Sequence, residues 1–215
     1  MRRMTNDLFG RTGTEEIAEG ALVLRGRALT VDRLLLDAVA AIHRSSPFRH
    51  MTTPGGYRMS VAMTGCGDAS WVTDRAGYRY DRRDPETQQR WPGMPAVFRD
   101  LAQAAAGEAG FAGFDPDACL VNRYDPGTRL SLHQDKDERD LSQPVVSVSL
   151  GLPAVFQFGG PRRTDRPKRV LLEHGDVVVW GGPARLAYHG VLALKHGLHP
   201  LTGARRFNLT FRKAL

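Results

Sequence analysis

Val146-Ser147-Val148-Ser149-Leu150 alternates apolar and hydroxyl side chains without a break. Successive side chains of an extended chain point to opposite faces, so this stretch predicts a strand in a sheet with one buried face. Similar segments surround it. Ala118-Cys119-Leu120-Val121, Val145 to Leu150, Ala154 to Phe158, Val170 to Leu172, Val177 to Trp180 and Phe207 to Phe211 are short, and each is bounded by Gly, Pro, Asp or Asn. Many short strands at fairly even spacing from Asp117 onward predict a sandwich or jelly roll.

Upstream the pattern differs. Ala21-Leu22-Val23-Leu24 is a further strand candidate, and residues 1 to 20 are polar and Gly-containing, as expected of a loosely held arm. Leu34, Leu35, Ala38, Val39 and Ile42 recur at helical spacing, with Thr30 or Asp32 as candidate N-caps. Pro95 to about Ala109 is Ala-rich, opens on a proline and closes on Gly110, which predicts a second helix. Between these helices, Tyr57 to Thr64 and Trp71 to Tyr80 carry aromatic and β-branched residues with Gly punctuation, which predicts hairpins behind the turn Pro54-Gly55-Gly56. The expected class is mainly β with flanking helices (α+β), organised as one domain over residues 21–215.

Composition narrows the function. Of 215 residues, 41% are hydrophobic and 25% charged, which excludes a wholly disordered chain. No run approaches 18 apolar residues, so no membrane helix is expected. Cys66 and Cys119 stand far apart in sequence and form no CxxC pattern, which argues against a disulfide framework or a cysteine zinc site. The start, Met1-Arg2-Arg3-Met4-Thr5-Asn6-Asp7, lacks an apolar signal stretch, and a cytoplasmic protein is expected. Lys and Arg number 30 against 23 Asp and Glu, a net +7 that favours a polyanionic partner.

Three segments of the β half could carry chemistry. In Leu130-Ser131-Leu132-His133-Gln134-Asp135-Lys136-Asp137, residues two apart share one side of an extended chain, so His133 and Asp135 can converge. Tyr188-His189-Gly190 follows the strand ending at Trp180. In Arg206-Phe207-Asn208-Leu209-Thr210-Phe211-Arg212, one face carries Arg206, Asn208, Thr210 and Arg212 and the other is apolar. Two histidines and a carboxylate on one face of a metal, with the other positions open, suit a non-haem Fe(II) oxygenase. The planar fork of arginine matches a carboxylate, so two arginines on one strand face suit a co-substrate with a carboxylate at each end.

Each part alone has a bland reading. HxD pairs are common by chance, a single histidine is more often a core or surface residue, and an Arg-x-Asn-x-Thr-x-Arg row also fits the solvated face of an edge strand. Taken together, HxD, a histidine 54 residues beyond Asp135 and paired arginines on the last strand point to the metal reading.

The same residues carry a family resemblance. Thr53-Pro54-Gly55-Gly56-Tyr57, Asn122-Arg123-Tyr124, His133-Gln134-Asp135-Lys136-Asp137, Leu172 to Gly182 and Asn208-Leu209-Thr210-Phe211-Arg212 resemble motifs of the AlkB family of Fe(II)/2-oxoglutarate dioxygenases, nucleic-acid dealkylases. The likeness runs from about Asp7 to Arg212. It implies a double-stranded β-helix (jelly-roll) core over about 117–215 and nucleotide-recognition lid hairpins over about 50–90. It implies that His133, Asp135 and His189 ligate iron, and that Arg206, with Tyr124 and Asn122, binds the distal carboxylate of 2-oxoglutarate. Arg212 and Asn208 would hold the end near the metal. Trp71, Tyr78 and Trp180 would shape the base pocket, Asp137 would favour a cationic base, Arg163 would lie near the substrate and Thr53 would belong to the lid.

The activity this implies is oxidative demethylation of N-alkylated bases such as 1-methyladenine and 3-methylcytosine in single-stranded DNA. It uses Fe(II), 2-oxoglutarate and dioxygen and releases succinate, carbon dioxide and formaldehyde. Double-stranded DNA and RNA are further candidate partners, no membrane is involved, and the chain is expected to be a monomer. Arg75, Arg79, Arg82 and Arg83, interleaved with Tyr78 and Tyr80, and the basic loop Pro161 to Arg169 have the composition of a nucleic-acid platform. Two rival readings are a hydroxylase of a protein or small molecule, and a non-catalytic nucleic-acid-binding module.

Overall fold

The computed structural model describes residues 13–215. In chain order these form β1 (Gly13–Ala18), β2 (Ala21–Arg25), α1 (Asp32–Ser45), β3 (Ala62–Gly67), β4 (Ser70–Asp74), β5 (Gly77–Asp81), α2 (Ala96–Glu108), β6 (Ala118–Tyr124), β7 (Leu130–His133), β8 (Val145–Gly151), β9 (Ala154–Phe158), β10 (Lys168–Leu172), β11 (Val177–Trp180), β12 (His189–Val191) and β13 (Arg206–Arg212). The larger sheet runs β1-β2-β11-β8-β13-β6-β3 and the smaller runs β10-β9-β12-β7. β4 and β5 pair only with each other, as a hairpin of their own. This two-sheet arrangement is the jelly roll that the strand spacing predicts.

Strand alternation builds two cores. Val146, Val148 and Leu150 of β8, Val177 and Val179 of β11, and Leu209 and Phe211 of β13 pack with Leu35, Val39 and Ile42 of α1 and with Phe98 and Leu101 of α2. The opposite faces of those strands contribute Val145, Val178 and Trp180, which pack with Phe156, Phe158, Val170 and Val191 of the smaller sheet. One layer of strands is thus apolar towards the helices and mixed towards its partner sheet.

Several expectations need correction. Ser147 and Ser149 do not face solvent, because β8 is buried along its whole length. Their hydroxyls accept hydrogen bonds from Asn208 Nδ2 at 2.7 Å and Arg206 Nη2 at 2.9 Å, so the polar half of the alternation serves an interior site. On α1 the buried stripe is Leu35, Val39 and Ile42, whereas Leu34 is 58% exposed, one residue off that stripe. Neither Thr30 nor Asp32 caps α1. Val31 holds the N-cap position without a side-chain bond, and Asp32, the first helical residue, turns its carboxylate towards His174 Nε2 at 2.9 Å.

The expected hairpin over Tyr57 to Thr64 is a turn followed by one strand. Thr53 N–H donates to Tyr57 O at 2.9 Å, which closes the turn around Pro54-Gly55-Gly56, and β3 begins only at Ala62. β3 then pairs with β6 at the edge of the larger sheet. The arm expected at residues 1–20 falls partly outside the described residues, but Gly13–Ala18 forms β1 and pairs with β2. α2 matches its prediction, starting after Pro95 and giving way to Gly110 at φ +89°. Cys66 and Cys119, distant in sequence, are register partners across β3 and β6, and both are buried free thiols. Among the described residues no helix is long and apolar enough to cross a membrane.

These two cores make a stability contrast measurable by urea unfolding. Phe211→Ala, which empties a buried site under α2, should cost about 3–5 kcal/mol. Leu34→Ala on the exposed side of α1 should stay within about 0.5 kcal/mol of the parent protein.

Candidate metal centre and co-substrate pocket

His133 ends β7 and His189 begins β12, and the two are direct partners in that antiparallel pair. Gly190 lets the strands meet. A Cβ there would lie 2.7 Å from Leu130 O and 3.1 Å from Leu132 N, so any side chain would push β12 away from β7. Asp135, two residues past β7, brings its carboxylate beneath both rings. Its Oδ1 is 3.8 Å from His133 Nε2, and its Oδ2 is 3.7 Å from His189 Nε2. The ligand-capable atoms of His133, Asp135 and His189 all lie within 4.8 Å of one another, the one such group among the described residues.

The surroundings prepare these atoms for a cation. His133 Nδ1 is 2.9 Å from Ser131 O and His189 Nδ1 is 3.0 Å from Ala187 O. Each Nδ1–H therefore has a carbonyl acceptor, which leaves the Nε2 lone pairs directed at the shared point. Burial pulls His189 down to about 4, so its ring is neutral near pH 7. Asp135 is buried, which alone would favour its acid form. The charge of Arg212 and the hydrogen bonds it donates outweigh that and hold Asp135 well below the usual carboxylate range. Arg212 Nε and Nη2 donate to Asp135 Oδ2 at 2.9 and 2.7 Å. A carboxylate flanked by two imidazole Nε2 atoms, with no other protein ligand, is the open donor set that ferrous iron takes in oxygenases.

Beside this centre lies an unpaired buried cation. Arg206 is 1% exposed, and its guanidinium stands 5.2 Å from the Tyr124 ring. Nη2 donates to Ser149 Oγ, yet Nε and Nη1 have no partner, and neither do the Tyr124 hydroxyl or Asn122 Oδ1. Leaving that many buried polar atoms unsatisfied is costly, so the pocket is built for an anionic, hydrogen-bonding molecule. A small dicarboxylate with one end on Arg206 and the other at the metal fits this donor set. Asn208 is placed differently. Its amide N–H groups go to Ser147 Oγ and Val148 O, and its Oδ1 accepts from Thr210 Oγ1 at 3.0 Å, so it braces the pocket wall through protein partners.

A cavity of about 790 Å³ joins these parts, and every site residue predicted from sequence lines it. At its outer end Trp71 and Tyr78 stack with ring centroids 5.7 Å apart, and Trp71 Nε1 donates to Asp137 Oδ2 at 2.8 Å. The Arg163 guanidinium lies 5.9 Å from the Tyr188 ring, and Trp180 packs edge-on against His189 at 4.9 Å. Thr53 sits at the rim with the 53–57 turn. Of the basic platform, Arg79 is tied within its hairpin to Asp74 and Asp81, whereas Arg75, Arg82 and Arg83 are exposed. Loop 161–169 exposes Arg162, Arg163, Arg166, Lys168 and Arg169.

Sequence reasoning missed two buried residues here, Glu138 and Arg185, and placed the half-buried Tyr80 only in the nucleic-acid platform, not beside the metal centre. Arg185 donates Nη1 to Asp135 O at 2.6 Å and Nη2 to Glu138 Oε2 at 2.9 Å. Glu138 adjoins the His133–Asp137 run and offered a local signal, an acid three residues beyond Asp135. Nothing near Arg185 in sequence announces its role.

Comparison with known proteins agrees with this geometry. The family model described as the 2OG-Fe(II) oxygenase superfamily matches residues 22–212. The chain is 60% identical to the alpha-ketoglutarate-dependent dioxygenase AlkB of Salmonella typhimurium over 200 residues, 93% of each protein. It is 34% identical over 122 residues to the tRNA demethylase abh1 of Schizosaccharomyces pombe, covering 56% of this chain and 40% of that protein. The solved structure of OsALKBH1 superposes with a TM-score of 0.80 at 28% identity, covering 94% of this chain and 100% of the other. The chain therefore belongs to the 2OG-Fe(II) oxygenase superfamily, on its AlkB branch, and Fe(II) and 2-oxoglutarate are the cofactor and co-substrate of that class.

The buried neutral histidine makes the metal-free protein acid-sensitive. Between the unfolded-chain value near 6.5 and about 4, the unfolded chain takes up a proton at His189 that the folded protein refuses. Stability is therefore full above that window and falls as pH drops through it, by up to about 1.4 kcal/mol per pH unit. Melting temperatures of metal-free protein from pH 7.5 to 4.5 should show this slope, and His189→Gln should flatten it.

Proposed function

We propose that this chain demethylates N-alkylated bases in nucleic acid, with single-stranded DNA as its main substrate and double-stranded DNA or RNA as further ones. The observation that carries the reading is one cavity holding a metal-ligand triad, an uncompensated buried guanidinium and an aromatic, acidic mouth. His133, Asp135 and His189 hold the iron. Arg206, with Tyr124 and Asn122, takes the distal carboxylate of 2-oxoglutarate, while Arg212 fixes the Asp135 carboxylate on which the near end depends. Bound together there, ferrous iron, 2-oxoglutarate and dioxygen supply an oxidation that hydroxylates the N-alkyl carbon, which then leaves as formaldehyde.

The remaining work belongs to side chains. An N-methylated adenine or cytosine is cationic, so the Trp71–Tyr78 stack and the Asp137 carboxylate attract it over a neutral base. The cavity admits a base only when it is out of the helical stack, which favours single strands or flipped nucleotides. Thr53 and its turn cover the nucleotide, and the exposed Arg75, Arg82, Arg83 and 161–169 cations follow the phosphates. Residues from 21 onward act as one catalytic unit, with 50–90 as lid and 117–215 as jelly-roll core. We place the enzyme, as a monomer, in the cytoplasm. A reducing compartment suits both a ferrous centre and two facing free thiols, Cys66 and Cys119.

Mass spectrometry of oligonucleotides carrying 1-methyladenine or 3-methylcytosine, incubated with Fe(II), ascorbate and 2-oxoglutarate, should show loss of the methyl group with one formaldehyde and one succinate per repair. Absence of demethylation with persistent 2-oxoglutarate turnover would instead support a hydroxylase of another substrate. His133→Ala should abolish succinate production while retaining oligonucleotide binding. Arg206→Met should weaken 2-oxoglutarate binding by about 1.5–3 kcal/mol, roughly 10- to 150-fold, read by titration of the Mn(II) form.

A further inference from the structure

The β4–β5 hairpin is fastened to the metal-ligand segment twice. One tie, Trp71 to Asp137, lies at the exposed mouth. The other is deep. Tyr80 of β5 donates its hydroxyl to Glu138 Oε1 at 2.6 Å, and burial, the largest cause, pushes that phenol well above its ordinary value, so the proton of this bond is Tyr80's own. The Glu138 side chain is 2% exposed and pairs with Arg185 at 2.9 Å and with Arg212 Nε at 3.3 Å. Arg212 holds the Asp135 carboxylate, and Arg185 holds the Asp135 main-chain carbonyl.

Asp135 is therefore gripped at both ends by cations whose positions Glu138 sets. Buried ion pairs of this kind are strict about geometry, because a displaced partner leaves a desolvated charge uncompensated. A shift of Tyr80 is passed to Asp135 through three successive contacts, Tyr80–Glu138, Glu138–arginine and arginine–Asp135, the last two between buried residues. The hairpin also makes no strand ladder with either large sheet, so it can shift without breaking them.

We propose that Tyr80 and Glu138 are positioning residues that couple the seating of the β4–β5 hairpin on a nucleotide to the placement of the Asp135 carboxylate for the metal. This rests on the demethylase reading. A bound nucleotide that fixes the hairpin then tightens metal binding, and by linkage the metal tightens nucleotide binding by the same factor.

The test uses the full chain with Mn(II) as a redox-inert probe. Its dissociation constant is measured with and without an oligonucleotide bearing a 3-methylcytosine. The parent protein should bind Mn(II) at least about 5-fold more tightly with the oligonucleotide present, and Tyr80→Phe should bring that ratio to within about 2-fold of unity. The ratio is informative because a uniform loss of stability or of metal affinity leaves it unchanged. Glu138→Gln, measured the same way, should also lose the coupling and serves if Tyr80→Phe does not fold. A parent ratio of one, or a parent-like ratio in both variants, overturns the link. Failure of the parent protein to bind the oligonucleotide at all overturns the nucleic-acid reading, and the link with it.

Discussion

Arg212 donates two N–H groups to one oxygen of Asp135, and the metal centre depends on that pair. A carboxylate this deeply buried would otherwise tend to hold its proton and make a poor ligand. The guanidinium shifts the balance to the charged form, and pulling on Oδ2 from one side also fixes where Oδ1 points. The histidines take their orientation from carbonyl acceptors at Nδ1 instead. Arg212 in turn sits on β13, an interior strand of the larger sheet paired on both sides, with β8 and β6. The best-supported strand of the fold thus carries the group that keeps the acid ionised.

Strand periodicity explains how the fold can do this. On β13 the same seven residues put Leu209 and Phe211 under the helices and Arg206, Asn208, Thr210 and Arg212 into the cavity. β8 repeats the device with Val146, Val148 and Leu150 on one side and Ser147 and Ser149 on the other. The hydroxyls on β8 partly satisfy the cation and amide on β13, and Nε and Nη1 of Arg206 are left without a protein partner. Polar residues buried between sheets would be a defect in an ordinary sandwich. Here most of them line the cavity beside the metal-ligand triad.

What the sequence revealed follows from the range of each signal. Alternation and helical spacing act over a few residues, so β8, β9, β11, β13 and α2 could be read directly, as could the shared face of Arg206 and Arg212. Pairing across sheets acts over the whole chain. That β7 and β12 set His133 opposite His189 depends on the register of two strands of three or four residues, too short to show periodicity. Arg185 reaches Asp135 across 50 residues from the segment between β11 and β12, where no pattern marks it. The expectation of one buried face for β8 fails for the same reason. Alternation says which residues share a side, whereas only the second sheet decides that both sides are covered. Family likeness pointed to His133, Asp135, His189, Arg206 and Arg212, which meet in one cavity, but not to the Tyr80–Glu138–Arg185 network behind them.

The isolation of the β4–β5 hairpin has a consequence for how such an enzyme diversifies. Because it shares no ladder with either large sheet, substitutions at the exposed Tyr78 or the exposed arginines cost the scaffold little. The preference for one damaged base over another can therefore drift while the oxidation chemistry stays constant. Tyr80 is the exception within that hairpin. Its side chain answers to the metal centre, so it should stay fixed in lineages where its neighbours have changed to fit new lesions.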